Sequence, residues 1–160
     1  MTAAALKPAT QDIVVDEIFP HAPETIWKAL TTGELIARWL MPADGFEAVE
    51  CNRFTYKTTA AGAWDGIIHC QVLEVVPNER LVYAWKAGHE ENVGYGSRLD
   101  TVVTWTLARA GDGTRVRVVH SGFVLPKNDA AYRNMSDGWT KVVRNLDAVA
   151  AEQDSEKKPN

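Results

Sequence analysis

Cysteine is scarce in this chain. Its 160 residues include two, Cys51 and Cys70, with no C-x-x-C pair. Two such thiols build no disulfide scaffold, and no His/Cys cluster has zinc-site spacing. Long apolar runs are also missing, since no stretch approaches the roughly 20 residues that cross a bilayer. At the start, MTAAALKPAT offers only Ala3–Leu6 as an apolar stretch and has no basic opening, too little for a secretory signal. Basic charge is short as well: 17 Lys and Arg against 21 Asp and Glu leave a net charge of -4, the reverse of a nucleic-acid-binding surface. By elimination the chain is expected to be cytoplasmic, with no nucleic-acid partner and no membrane span. Gly94-Tyr95-Gly96-Ser97 lacks the lysine and following helix of a phosphate loop. There is no Gly-x-Ser-x-Gly elbow and no carboxylate pair at glycosidase spacing. No cofactor and no metal are expected.

What is present is ordinary globular material, 46% hydrophobic and 24% charged. A chain of this length folds as one domain and buries roughly 70% of its unfolded surface. Residues 1–10 read as a frayed leader, 11–151 as the single domain and 152–160 (EQDSEKKPN) as a charged tail. The unusual count is tryptophan, six residues spread from Trp27 to Trp139. They admit two readings: one large aromatic core, or an aromatic-lined cavity of the kind that holds apolar ligands.

Residues 11–19 alternate as a strand, which Pro20 and Pro23 end; Pro23 suits a first helical turn. Ile26, Trp27 and Leu30 share a helical face. Thr32 stands where it would cap a second short helix carrying Leu35, Ile36, Trp39 and Leu40. Strands are then expected at 46–50, 53–58, 64–76, around Leu81–Trp85, around Leu99–Leu107, and after the Gly111-Asp112-Gly113 hairpin turn. In the 64–76 strand Ile68, Cys70 and Val72 share one parity and Leu73 and Val75 the other, so a β-bulge is expected near Val72–Leu73. A long helix over about 129–151, capped by Asn128, carries Tyr132, Met135, Trp139, Val142 and Leu146 on one stripe. Gly138 interrupts it beside Trp139; mid-helix glycine is either tolerated or marks a close neighbour or an open space. Strand, two short helices, six more antiparallel strands and a long helix make an α+β two-layer domain.

Several local sequences in that order carry a family likeness: Trp27 with Leu30, Leu35 with Trp39-Leu40, the run Val72 to Trp85 (VLEVVPNERLVYAW), Thr101-Val102-Val103-Thr104-Trp105, Gly113-Thr114-Arg115-Val116, His120-Ser121-Gly122-Phe123, and Gly138-Trp139 with Leu146. Over residues 11–150 the chain resembles the SRPBCC (START-like, Bet v 1-like) superfamily. More narrowly it resembles domains homologous to the C-terminal domain of the activator of heat shock protein 90 ATPase. The resemblance implies a helix-grip fold, in which a strongly curved antiparallel sheet wraps a long C-terminal helix, with a cavity between them. It does not imply chaperone stimulation, because the activator's amino-terminal domain has no counterpart here. The chain departs from the family at Cys51-Asn52, where members often carry a glycine pair.

Parity places His120 toward the long helix with Val116 and Val118, while Ser121 beside it faces away, so the two form no Ser–His dyad. Tyr56, Tyr83, Trp85 and Trp105 from the strands, and Met135 and Trp139 from the helix, complete the inward set. These seven are the candidate ligand-binding residues for a small apolar or aromatic molecule; no residue is assigned as catalytic. Two alternatives stand beside that reading. One is a cyclase- or aromatase-like enzyme in which His120 moves a proton. The other is an interaction module, as a homodimer or with a chaperone partner.

Overall fold

The computed structural model describes residues 10–157, so the leader expected over 1–10 lies outside them apart from Thr10. Strand β1 (Thr10–Phe19) leads into helices α1 (Pro23–Thr31) and α2 (Gly33–Trp39). Strands β2 (Arg53–Lys57), β3 (Ile67–Val76), β4 (Arg80–Ala87), β5 (Leu99–Ala110) and β6 (Gly113–Val124) follow, and α3 (Asp129–Lys157) closes the chain. The six strands form one antiparallel sheet in the order β1-β6-β5-β4-β3-β2. One face is covered by the helices, giving the α+β helix-grip architecture.

The sheet has one strand fewer than the alternation suggested. Residues 46–50 form turns and bends. Gly45 turns at φ 82°, and Asn52 ties the segment to itself: Glu47 N donates to Asn52 Oδ1 and Asn52 Nδ2 donates to the Gly45 carbonyl, both at 3.0 Å. A segment whose backbone groups are taken by a side chain adds no rung to a ladder. β3 also starts later than expected, at Ile67, because Asp65 Oδ1 accepts the Ile67 N–H and Gly66 turns at φ 85°. The bulge is where the parity switch put it: pairing with β4 slips between Val72 and Glu74, leaving Leu73 unpaired and returning Val75 to the core side.

Neither expected cap works through its side chain. Thr32 stands before α2 in extended conformation and makes no side-chain bond; its carbonyl accepts from Leu35 N and Ile36 N. Asn128 turns its amide inward instead, as described below. Helix α3 runs on past Ala151 to Lys157, so the first part of the charged tail is helix. It has a reason to continue, since Gln153 is buried and Asp154 bonds to His21 and Thr25. The apolar stripe faces the concave side of the sheet: Trp139, Val143, Leu146 and Val149 are buried, and Tyr132, Met135 and Val142 pack at its edge.

Candidate functional site

Two kinds of space lie between sheet and helix. The first is filled. Register pairs Trp85 with Thr101 and Val103 with His120, so one side chain from each of β4, β5 and β6 meets Trp139 of α3. Trp139 Nε1 donates to His120 Nδ1 at 3.0 Å. A ring nitrogen that accepts has no proton, so the proton of the neutral ring is on Nε2, which donates to Thr101 Oγ1 at 2.7 Å. Thr101 Oγ1 in turn donates a hydrogen bond to the Trp85 carbonyl at 2.8 Å. Burial holds the His120 pKa down to about 3, so the imidazole is neutral near pH 7. Behind it Trp105 Nε1 donates to the Tyr83 hydroxyl at 3.2 Å. Burial pushes the phenols of Tyr83 and Tyr56 well above their usual range. Trp105 meets Trp139 and Trp39 edge-on, with ring centroids 5.7 and 5.5 Å apart, the preferred arrangement for aromatic pairs.

This geometry bears on the proton-transfer alternative. Both His120 nitrogens are taken by protein partners, the side chain is fully buried, and its pKa lies far below neutrality. A general acid or base needs a nitrogen within reach of substrate and a pKa near the working pH. His120 has neither, and its hydrogen bonds fix the angle of Trp139 instead.

The second space is open. A chamber of about 250 Å³ lies between the end of α2, the β3–β5 end of the sheet and the middle of α3. Its walls are Leu40, Met41, Trp64, Ile68, Leu99 and Val142, together with Trp85, Met135 and Trp139. Thr58, Tyr95 and Asn134 are exposed residues at its margin. Gly138 also lines it, and a Cβ built there would meet nothing within 4 Å, so the mid-helix glycine borders space. The loop from Gly88 to Gly96 closes one side. Asn92 ties that loop down, Oδ1 accepting from Ala63 N at 3.0 Å and Nδ2 donating to the Ala61 carbonyl at 2.7 Å; Tyr95 donates to the Thr59 carbonyl at 2.9 Å.

Of the seven residues proposed from sequence, Trp85, Met135 and Trp139 line the chamber; Tyr56, Tyr83, Trp105 and His120 sit in the packed region beside it. Parity along a strand says which way a side chain points, not whether the space it points into is filled. The walls that follow α2, Leu40 and Met41, and those from the segments before β3 and β5, Trp64 and Ser97, lie outside the helices and strands, where no period sets which way a side chain faces. His69 faces outward opposite Lys86. Among the described residues no group of three His, Cys, Asp or Glu side chains is placed to hold a metal ion. Cys51 is exposed, and burial raises the thiol of Cys70 well above its ordinary value, which leaves it inert.

One cluster has no local signature in the sequence. His21 is buried at the mouth of the β1–α1 turn, with Nδ1 2.8 Å from Asp154 Oδ2 and Nε2 2.7 Å from Asp147 Oδ1. Thr25 donates to Asp154 Oδ1 at 3.0 Å. These bonds tie the last turns of α3 to the start of α1, far along the sequence, where local pattern has nothing to say.

A sheet of this order around a C-terminal helix, with a chamber at one end, can be set against known proteins. The profile of the family described as "Activator of Hsp90 ATPase homolog 1-like protein" matches residues 20–151. The chain belongs to this family. No curated protein matches it significantly. Among solved structures, protein MLL2253 from Mesorhizobium loti is 34% identical, with a TM-score of 0.77 over 89% of this chain and 98% of that one. The Aha1 dimer from Colwellia psychrerythraea is 17% identical, with a TM-score of 0.66 over 86% and 93% of the two chains. CalU16 from Micromonospora echinospora is 18% identical, with a TM-score of 0.67 over 94% and 88%. The last two share the fold alone. Among the described residues no helix is long and apolar enough to cross a membrane.

Proposed function

We propose that this family member binds a small apolar molecule in the chamber between sheet and helix, touching it through Trp85, Met135 and Trp139. The observation that carries the reading is the unfilled space itself: about 250 Å³ walled by apolar side chains beside a region where the same residue types pack solid. Close packing is the rule in protein interiors, and concave, mostly apolar spaces with a few polar groups are where small ligands bind. The neutral dye N-phenyl-1-naphthylamine tests it. Wild-type protein should take up the dye with enhanced fluorescence. Gly138→Leu, which fills open space with an alkyl chain, should abolish uptake while leaving the fold's circular dichroism intact. Equal uptake by a folded Gly138→Leu variant would sink the proposal.

A second reading is self-association through the outer face of the sheet at edge strand β1. It is favoured by Val14 and Ile18 of that strand, apolar side chains that stand 48% and 67% exposed. Sedimentation of wild-type and Ile18→Lys proteins decides it: a dimer that the lysine dissociates supports the reading, and a wild-type monomer at high concentration ends it.

A further inference from the structure

The chamber is apolar but not featureless, and two of its buried polar groups, on Trp85 and Ser97, are donors. Of the five buried tryptophans, four give their indole N–H to protein: Trp39 to the Ala29 carbonyl, Trp64 to the Ile67 carbonyl, Trp105 to Tyr83 and Trp139 to His120. Trp85 is the fifth, 2% exposed, and its N–H has no acceptor among the described residues. No sealed side-chain nitrogen or oxygen lacks a partner among those residues, so the Trp85 N–H must open onto accessible space, and the space Trp85 lines is the chamber.

Ser97 supplies a second donor. Its side chain is 1% exposed and lines the same chamber. Gly88 lets it come close: at φ 78°, a Cβ on Gly88 would lie 2.1 Å from the Ser97 carbonyl oxygen, so only glycine permits the approach. Asn128 sets the direction of the hydroxyl. Its Oδ1 accepts the Val124 N–H at 2.9 Å and its Nδ2 donates to the Arg98 carbonyl at 2.9 Å, which leaves no ambiguity about which amide atom is which. The remaining Nδ2 hydrogen goes to Ser97 Oγ at 3.0 Å. Ser97 therefore accepts from Asn128 and cannot donate back, and its proton has no acceptor among the described residues.

No lining residue carries a charge. Two unspent donors in an uncharged, apolar room specify the chemistry of an occupant. On the reading that the chamber binds ligand, we infer that Trp85 and Ser97 select compact, neutral molecules whose buried end is a hydrogen-bond-accepting oxygen, such as a ketone, quinone or ester carbonyl. A hydrocarbon of the same shape fills the room and leaves both donors unmet. A carboxylate would bring a charge with no cation to meet it.

Tetralin and 1-tetralone, which differ by one carbonyl, are the probes, measured by isothermal titration on wild-type, Ser97→Ala and Trp85→Phe proteins. Wild type should bind 1-tetralone roughly tenfold more tightly than tetralin, the worth of one to two neutral hydrogen bonds. Each variant should cut that ratio to about threefold or less. Equal affinity of wild type for the two compounds, with binding of both lost in Gly138→Leu, would overturn the donor assignment and leave the chamber reading standing. Preference for the ketone that survives unchanged in both variants would also overturn it. Binding of neither compound by wild type would overturn both.

Discussion

The interior has two halves that share walls. Trp85 and Trp139 stand between them, packed against His120 and Trp105 on one side and facing the chamber on the other. In the packed half the polar tips that meet Trp85, Trp105 and Trp139 are spent: His120 bonds through both nitrogens, Thr101 relays the bond to backbone, and Trp105 donates to Tyr83. In the open half, Trp85 N–H and Ser97 O–H have no acceptor among the described residues, and Gly138 withholds a side chain. Residue composition does not separate the two halves, since both are aromatic and buried. Polar satisfaction and one small residue do. A satisfied aromatic cluster is a scaffold, and an unsatisfied one beside a void is a place for something else.

That contrast breaks most visibly under truncation. Trp139→Ala removes the packed half's keystone and orphans His120 Nδ1, so it should cost about 3–5 kcal/mol in urea unfolding. Met135→Ala, on the chamber wall, should cost about 1 kcal/mol or less, because half-buried atoms beside existing space lose few contacts. Similar losses at the two positions would contradict the division.

Acid sharpens the contrast. His120 titrates near 6.5 when unfolded and at about 3 when folded. Between those values the unfolded chain binds a proton that the native state does not, so stability is full above pH 6.5 and falls as pH drops. For this one group the slope is about 1.4 kcal/mol per pH unit. The gap between wild type and His120→Gln should therefore narrow as pH is lowered from 6.5 toward 4. A gap independent of pH would mean the ring is not held neutral.

The tie at the end of α3 should give a smaller effect. His21→Ala removes both carboxylate bonds, though Asp147 is partly exposed and its bond is screened. A loss of about 1–2 kcal/mol is expected, with faster amide exchange confined to the last turns of α3. Unchanged exchange there would show that the helix end is held by apolar contacts alone.

The smallest effect lies outside both halves. Cys51 adopts φ 72°, the left-handed region that glycine enters freely and other residues enter at a cost. Cys51→Gly should stabilise by about 0.5–1 kcal/mol and leave dye uptake as in wild type; destabilisation would mean that the thiol's contacts outweigh the strain.

Much of this architecture was legible from periodicity. Two-residue alternation marks β1, β4, β5 and β6, three- and four-residue spacing marks α3, and the parity switch at Val72–Leu73 marks the bulge. The chain departs from the family's glycine pair at Cys51-Asn52, and Cys51 takes a positive φ there that glycine would enter freely. Other features have no local signature. Residues 46–50 alternate like a strand, yet Asn52 takes up the backbone groups a ladder would need. Asn128 occupies a capping position and spends its amide on Val124, four residues back, and on Ser97 and Arg98, which only the fold brings near. The site was half legible for the same reason. Trp85, Met135 and Trp139 point inward by period, but which inward residues meet a void depends on how α2 and the Gly88–Gly96 loop stop short of filling it.

Xenon tests the division most directly, since it enters apolar space without needing a hydrogen bond. A crystal structure under xenon pressure should show the gas in the chamber against Leu99, Met135 and Gly138, and none between His120, Trp105 and Trp139. An empty or collapsed chamber, or xenon lodged among the packed rings, would contradict the account.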